Sequence, residues 1–267
     1  MLCPYWVLAD RDPLRNPRRG EGFWVCNPTL RAHTPPFPAL DATAVLCYLL
    51  WKRAIPVPAG GKGSTVNRRE FFDQHAREWD AARPADLAAR LQRVVGMLDL
   101  RPGHRVLDVG TGTGALVPAM LARVGETGAI VALDSSAGML AVARGKGFPA
   151  KVTFMEADIE RAPELADASF DRVVCNAAFP HLPHRQQALA EMVRVLRPGG
   201  LLVISHPIGR EAVEARHRQQ GEAVAADHVP PPAEMRELLR EAGLADIFII
   251  DEPDFYLAAG RKPTKGT

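Results

Sequence analysis

The feature that most constrains this chain is a short, mostly apolar run, Arg105–Val109, followed by alternating glycines at Gly110, Gly112 and Gly114. Glycine permits a sharp turn, and a Cβ at such a position would hold a ligand away from the main chain. An apolar helical pattern comes next, so the turn leads into a helix N-terminus whose free N–H groups suit an acceptor-rich or anionic ligand. The segment predicts a strand, a ligand-binding turn and a helix.

Short apolar runs alternate with helical patterns as far as residue 206. Further strands are predicted at residues 129–133, 151–155, 170–175 and 201–205. Such runs are typical of a parallel sheet covered on both faces. The last two runs, 245–250 and 254–259, are too close together for a crossover, so we expect them to pair antiparallel. The sequence predicts an α/β fold: a Rossmann-like, doubly wound, seven-stranded sheet, mostly parallel with an antiparallel last strand, and helices on both faces.

Residues 1–65 differ from the rest because they are rich in Pro, Arg, Cys and Trp and have no sustained periodicity. We expect a poorly structured extension there, ahead of one domain at 66–267. One alternative is a partner-binding or membrane-surface arm, built on Leu46, Leu49, Leu50 and Trp51. Another follows from residues 60–63, whose purine-rich codons resemble a bacterial ribosome-binding site. Val66 would then be a GTG start, and residues 1–65 translated upstream sequence.

Composition argues against several classes of function. The net charge of +2 is nearly balanced, which disfavours a nucleic-acid partner. Cys3, Cys26, Cys47 and Cys175 lack the spacing of metal ligands or of a disulfide framework, which favours a reducing cytoplasm. The most apolar run, at 42–51, is about half as long as a membrane span. We expect a cytoplasmic monomer or homodimer with no metal, nucleic-acid partner or membrane span.

Polar side chains stand at the predicted carboxyl ends of the strands, where open α/β sheets bind ligands. Asp134 suits a ribose diol, since one carboxylate can accept from both hydroxyls. Asp158 can accept from an exocyclic amine such as that of adenine. The spacing G-x-G-x-G differs from the G-x-G-x-x-G of dinucleotide enzymes. Ala115 at the third dinucleotide position nevertheless leaves a nicotinamide-dependent oxidoreductase open.

Five motifs in order carry a resemblance to a known family. They are VLDVGTGTG at 106–114, ALDSSAGML at 132–140, EAD at 156–158, FDRVVCN at 170–176 and LRPGG at 196–200. Together they resemble a class I S-adenosylmethionine-dependent methyltransferase of the small-molecule, ubiquinone/menaquinone-biosynthesis-like branch. The resemblance extends over about residues 67–260, and the family's seven-stranded sheet with an antiparallel last strand agrees with the fold predicted above.

The resemblance implies S-adenosylmethionine as cofactor. It assigns cofactor contacts to Asp108, Gly110, Thr111, Gly112, Gly114, Asp134, Ser135, Met139, Asp158, Ile159, Asn176 and Ala177. The glycines would approach the methionine part, and Asp108 its amino group. Asp134 would bind the ribose, while Met139, Asp158 and the N–H of Ile159 would contact adenine. Asn176 and Ala177 would lie beside the transferable methyl. Asp158 as a helix cap and Met139 as plain core packing remain alternatives.

The acceptor side carries fewer signals. Phe72 and Trp79 lie on a helix predicted over 67–80, of the kind that often caps the cofactor in this family, and core packing is the alternative for both. His181 follows the fourth strand and His206 ends the fifth. Arg210 and His217 share a helix face, so His206, Arg210 and His217 are expected to converge, as anion-binding groups or as a general base. The alternative is a solvated helix face with a capping histidine.

The predicted function is methyl transfer to an O, N, S or C nucleophile of a small molecule, with His206, Arg210 and His181 as candidate catalytic residues. Phe72, Trp79 and His217 are the candidates for contact with the acceptor or for a lid over it. Two alternatives remain open: a nicotinamide-dependent oxidoreductase and a non-catalytic S-adenosylmethionine-binding module.

Overall fold

The computed structural model describes residues 6–8, 24–26, 68–81 and 84–264. The chain divides into two compact units, Met1–Cys47 and Tyr48–Thr267. In the first unit, β1 (Trp6–Leu8) pairs antiparallel with β2 (Trp24–Cys26). Strands of three residues are too short to leave a periodic signal in the sequence, which is why none was predicted. The arm at Leu46–Trp51 and the start at Val66 lie outside the described residues.

The second unit is built on one seven-stranded sheet. Its strands are β3 (Arg105–Val109), β4 (Ala129–Asp134), β5 (Val152–Glu156), β6 (Phe170–Asn176), β7 (Leu196–His206), β8 (Ala245–Glu252) and β9 (Phe255–Arg261). They lie in the order β5-β4-β3-β6-β7-β9-β8. The first five pair in parallel, and β9 runs antiparallel to both β7 and β8. The predicted fold class is confirmed.

Helices cover both faces of this sheet. Within the described residues they are α1 (Arg68–His75), α2 (Leu87–Met97), α3 (Val117–Val124), α4 (Ala137–Arg144), α5 (Arg185–Val195), α6 (Arg210–His217) and α7 (Pro232–Glu241). Successive side chains of β3 enter opposite layers, because side chains alternate along a strand. Leu107 joins the apolar cluster that includes α5, whereas Val106 joins the one that includes α2 and α3. β3 is therefore buried on both sides.

The predicted turn at 197–200 is the clearest difference from the sequence-based assignment. These residues form the first part of β7, where Leu196 pairs with Phe170 and Leu201 with Arg172 across a register irregularity. Lys262 supplies the hydrogen bonds, since its carbonyl accepts from the Gly199 N–H at 2.7 Å and its own N–H donates to the Gly200 carbonyl at 3.0 Å. An edge partner thus keeps a Pro-Gly-Gly segment in the sheet.

The topology places a ligand crevice at one point. β3 lies between β4 and β6, so the chain winds in opposite directions on its two sides, and ligands bind beyond the carboxyl ends of strands at such a switch point. In the part of the chain that the structure describes, no helix is long and apolar enough to cross a membrane.

Candidate active site

The glycine turn after β3 leaves one exposed approach to the main chain. Gly110, Gly112 and Gly114 have φ angles of +67°, +55° and +77°, in the left-handed region that favours glycine. A Cβ on Gly110 would lie 2.2 Å from Ala178 Cβ, and one on Gly114 would lie 3.1 Å from the Phe148 ring. A Cβ on Gly112 would meet no atom of the described residues within 4 Å. Gly110 and Gly114 therefore serve packing, whereas Gly112 faces open space.

Asp134, at the end of β4, connects this turn to the start of α4. Its Oδ2 accepts from the Gly112 N–H at 2.7 Å, and its Oδ1 accepts from the Ser136 N–H at 2.9 Å. Burial raises the pKa of Asp134. Ser136 caps α4, and its Oγ accepts from the Met139 N–H at 3.1 Å, while the neighbouring Ser135 is exposed. The carboxylate thus lies beside both the glycine turn and a helix N-terminus.

Asp108, near the end of β3, is a second acid at this edge. It is 2% exposed, and its Oδ2 accepts from the Thr111 hydroxyl at 2.8 Å. Burial, together with repulsion from Asp134, raises the pKa of Asp108 to about 7. A cationic ligand group beside Asp108 would offset the cost of its buried charge. The site is therefore suited to a ligand with an ammonium group.

The predicted adenine contacts lie where β4 and β5 end. Asp158 Oδ1 accepts from the Glu160 N–H at 2.9 Å and caps the short 3₁₀ turn Ile159–Arg161. This is the helix-cap alternative for Asp158, and its second carboxylate oxygen has no hydrogen-bond partner within the described ranges. Met139 and Ile159 are buried in the fold. Their roles toward adenine stay predictions.

The loop after β6 lies against the glycine turn. Asn176 Oδ1 accepts from the Ser205 hydroxyl at 3.0 Å, and the Ala177 N–H donates to the Ser205 carbonyl at 2.8 Å. Ala177 has a φ of +57°, which is strained for a residue with a side chain. The next residue, Ala178, is the one that limits space at Gly110. β6 therefore brings the predicted methyl-side residues next to the turn.

Two acids of the N-terminal segment attach it to the cofactor side, and the sequence reasoning missed both. Asp73 Oδ1 accepts from the Ser136 hydroxyl at 2.5 Å and from the Gly138 N–H at 2.9 Å. Asp80 accepts from the Thr113 hydroxyl at 2.5 Å and pairs with Lys146 at 2.6 Å. Asp73 lies on α1, whereas Asp80 lies past its end at His75. The first set of contacts therefore places α1 over the start of α4, and the second joins the turn after α1 to the glycine turn.

An aromatic row leads from α1 to a group of histidines. The Phe72 ring centroid lies 5.6 Å from that of Trp79 and 5.0 Å from that of His181. His181 in turn lies 4.7 Å from His217. Neither Phe72 nor Trp79 is fully buried, so both can contribute to the wall of a site.

Asp227, also missed from the sequence, connects this group. Its Oδ2 lies 2.8 Å from His181 Nδ1, and its carbonyl oxygen lies 2.7 Å from His217 Nδ1. Its Oδ1 accepts from the Arg68 guanidinium at 2.6 Å. The carboxyl is 3% exposed, and hydrogen bonds and charge from His181 and Arg68 hold its pKa low against the effect of burial.

Arg210 does not join the predicted convergence with His206 and His217. His206 is buried, which lowers its pKa, and its electrostatic neighbours include Arg216, His217 and His181. Arg210 instead pairs with Asp251 on β8 at 3.3 Å and with Glu214 at 3.4 Å. A helix-face pattern could not reveal this, because Asp251 lies on a distant strand. A catalytic role for Arg210 stays a prediction without support from these contacts.

No group of three or more His, Cys, Asp or Glu side chains within the described ranges is arranged to hold a metal ion. The arrangement instead provides an open main-chain approach, two acids on adjacent strands and a histidine group beyond them. The main-chain approach and the two acids can hold a polar, partly cationic ligand at the sheet edge, and the histidine group can accept a proton next to it.

Residues 107–204 match the family model described as a methyltransferase domain. The chain is 35% identical over 157 residues to the ubiquinone/menaquinone biosynthesis C-methyltransferase UbiE of Ectopseudomonas mendocina, an alignment that covers 55% of this chain and 60% of that relative. The chain thus spans about three fifths of the length of this curated relative.

Solved structures agree on the fold. A SAM-dependent methyltransferase from Aquifex aeolicus has a TM-score of 0.57 at 25% identity, covering 70% of this chain and 96% of that one. A Haemonchus contortus phosphoethanolamine N-methyltransferase, solved with phosphomonomethylethanolamine and S-adenosylhomocysteine, has a TM-score of 0.59 at 19% identity, covering 74% and 61%. The second likeness concerns the fold alone.

Proposed function

We propose that this chain carries a class I S-adenosylmethionine-dependent methyltransferase domain and that it transfers a methyl group from S-adenosylmethionine to a nucleophilic O, N, S or C atom of a small molecule. The observation that carries the proposal is the open main-chain approach at Gly112, with Asp134 bonded to its N–H and Asp108 buried on the adjacent strand. We further propose a cytoplasmic protein, a monomer or homodimer, that does not act on nucleic acid.

The residues at this edge fit the cofactor. Gly112 lets an extended ligand lie against the backbone, and Asp108 offers a buried carboxylate to an ammonium group. Asp134 retains lone pairs for the ribose hydroxyls, because its Oδ2 accepts from the Gly112 N–H, its Oδ1 accepts from the Ser136 N–H, and each oxygen can accept again. When bound, the cofactor supplies a methyl group already activated by the sulfonium charge. The chain's own task is then to hold donor and acceptor in line and to exclude water.

The acceptor side supports a small molecule rather than a named one. Phe72 and Trp79 offer aromatic walls, and His181 adds a polar group beside them. The curated relative is named for C-methylation in ubiquinone and menaquinone biosynthesis, which supports a small organic acceptor here as well. Holding α1 against α4 through Asp73 would complete this side of the pocket.

The test is calorimetric titration with S-adenosylhomocysteine. Asp134→Ala removes the proposed ribose acceptor, so affinity should fall by well over tenfold. Asp171→Ala is the matched control, because Asp171 also accepts from a backbone N–H, that of Arg105 at 2.8 Å, but at the opposite edge of the sheet. Its affinity should equal that of the wild type, and thermal unfolding of each variant separates lost binding from lost folding.

The same titration distinguishes the alternatives. Binding of NAD, with no binding of S-adenosylhomocysteine, would establish the nicotinamide-dependent oxidoreductase instead. Tight S-adenosylhomocysteine binding without turnover of any compound in a broad acceptor panel would favour a non-catalytic binding module. Equal affinity of the wild type and Asp134→Ala would refute the ribose assignment.

A further inference from the structure

The rings of His181 and His217 are in contact, both act electrostatically on His206, and the surroundings of the three histidines differ. We propose that Asp227 is a positioning residue that fixes His181 as the proton acceptor for a hydroxyl-bearing methyl acceptor. The inference rests on the proposed function and names the residue pair that would remove the acceptor's proton. Sequence patterns assign no role to Asp227, which lies 46 positions from His181 along the chain.

Hydrogen bonding separates the three histidines. His181 has a carboxylate on its Nδ1, Asp227 Oδ2 at 2.8 Å. His217 has only the Asp227 carbonyl at its Nδ1, and burial lowers the pKa of His217 to about 4. His206 is buried, and its Nδ1 accepts a long hydrogen bond of 3.4 Å from the Ile208 N–H. A neighbouring carboxylate stabilises an imidazolium, so His181 is the histidine suited to gain a proton.

The contact also determines which ring nitrogen is available. A carboxylate accepts hydrogen bonds, so the proton of the neutral His181 ring lies on Nδ1, and the lone pair lies on Nε2. Nε2 has no hydrogen-bond partner among the residues that the structure describes. The His181 side chain is 14% exposed and can therefore be reached by a small molecule.

His181 follows the loop that packs against the glycine turn. It ends the 3₁₀ turn Phe179–His181, and its N–H donates to the carbonyl of Ala178 at 3.0 Å. Ala178 is the residue that lies against Gly110. The Phe72 ring, on the helix that contacts α4, lies 5.0 Å from the His181 ring. His181 is thus near both the loop against the glycine turn and the aromatic wall of the proposed acceptor side.

The proposed methyl transfer accounts for every bond, electron pair and proton with the donor, the acceptor hydroxyl, His181 and Asp227. The acceptor oxygen forms a bond to the methyl carbon, and the electron pair of the broken S–C bond stays on sulfur as a neutral thioether. The acceptor's hydroxyl proton passes to His181 Nε2. The Asp227 carboxylate stabilises the imidazolium that results, and the proton later leaves to solvent.

Arg68 explains how a buried carboxylate can be kept for this role. A buried acid is costly unless it is paired, and Arg68 donates to Asp227 Oδ1 from both Nε and a terminal nitrogen. This leaves Oδ2 as the oxygen nearer to His181, although Arg68 Nε also reaches it at 3.1 Å. Arg68 lies on α1, so docking of that helix and orientation of His181 depend on the same carboxylate.

The first measurement determines the ring tautomer in the wild-type protein. Nitrogen-15 NMR of the histidine rings in the full-length protein reports the tautomer of His181, assigned by its loss in His181→Gln. We expect the neutral ring to carry its proton on Nδ1 and its lone pair on Nε2. A proton on Nε2 in the neutral ring would overturn the proposal.

The variants test positioning and activity together. Asp227→Asn should abolish the single-tautomer signal of His181. His184→Gln is the matched control, because His184 forms the same kind of pair with Glu160 at 2.7 Å but is 69% exposed. Activity is measured as S-adenosylhomocysteine formed from a panel of phenols and catechols. We expect kcat to fall at least a hundredfold in His181→Gln and at least tenfold in Asp227→Asn. In His184→Gln, kcat should stay unchanged.

S-adenosylhomocysteine affinity separates this inference from the proposed function. We expect it to stay within about twofold of wild type in His181→Gln. Full activity of His181→Gln, or an unchanged tautomer in Asp227→Asn, would overturn the positioning role while leaving the methyltransferase assignment intact. A wild-type protein that binds S-adenosylhomocysteine but methylates no hydroxyl in the panel would refute the hydroxyl acceptor. Loss of cofactor binding by the wild type would instead contradict the proposed function itself.

Discussion

Gly112 offers the sharpest test of the cofactor site, because one added methyl group should harm binding more than folding. Its φ of +55° makes Gly112→Ala strained, at roughly 1–2 kcal/mol of unfolding free energy. No described atom lies within 4 Å of the added Cβ, so packing adds nothing to that cost. A ligand lying against the backbone would have to retreat by about the length of a C–C bond. Hydrogen bonds of about 2.9 Å to the main chain would then be broken.

The expected loss of affinity follows from those hydrogen bonds. Breaking one or two bonds to a charged ligand costs about 1.5–3 kcal/mol each, which corresponds to at least a tenfold weaker S-adenosylhomocysteine complex. Gly110→Ala should behave in the opposite way. Its Cβ would lie 2.2 Å from Ala178 Cβ, so we expect an additional packing cost of about 1–3 kcal/mol.

Gly243→Ala is the matched control. Gly243 also has a positive φ, +87°, and open space around its Cβ, but it precedes β8 at the opposite edge of the sheet. Urea unfolding and calorimetric titration of the variants separate the two effects. Gly243→Ala should lose stability as Gly112→Ala does and bind S-adenosylhomocysteine as the wild type does. Wild-type affinity in Gly112→Ala would refute the assignment of this turn to the cofactor.

Three further predictions concern buried or bridging polar groups. Burial raises the pKa of Asp108 to about 7, so ionisation of this carboxyl makes the folded state less stable as pH rises from about 4 to 7. Asp108→Asn should therefore increase the unfolding free energy at pH 8 by up to about 4 kcal/mol, seen as a higher melting temperature, while weakening S-adenosylhomocysteine binding. The pKa of His217 is lowered to about 4, so stability should fall by up to about 3 kcal/mol as pH drops from 6.5 to 4, and His217→Gln should flatten that part of the urea-unfolding profile. Asp73→Ala removes the acceptor for the Ser136 hydroxyl and the Gly138 N–H, so hydrogen exchange in α1 should become faster; unchanged exchange would contradict the docking role.

The sheet and its glycine turn were predictable because their signals are local. Alternation of apolar runs and helical patterns identified each strand, and the glycine spacing identified the turn. The position of His181 after β6 followed from the same pattern. The first part of β7 did not, because the pairing of Gly199 and Gly200 with Lys262 joins segments more than 60 residues apart. A local turn signal was overridden by a distant edge partner.

The acids that organise the site from outside the motifs were not predictable in this way. Asp227 contacts Arg68 across 159 positions, and Asp73 contacts Ser136 across 63. Neither acid belongs to a strand end or a motif, so only the folded structure reveals its partners. Arg210 illustrates the same limit, since its helical spacing suggested the histidines while Asp251 on β8 binds it.

The buried acids at this edge of the sheet differ in how their charge is compensated, and the difference indicates what each one serves. Asp227 has Arg68 and His181 within the chain, and its pKa is lowered despite burial. Among the described residues the Asp108 carboxylate accepts a side-chain hydrogen bond only from Thr111, and its pKa is raised to about 7. A chain under selection for stability alone gains nothing from a buried acid whose charge has no cationic partner. Asp227 therefore serves the internal arrangement of α1 and His181, whereas Asp108 is suited to receive a cation from the ligand.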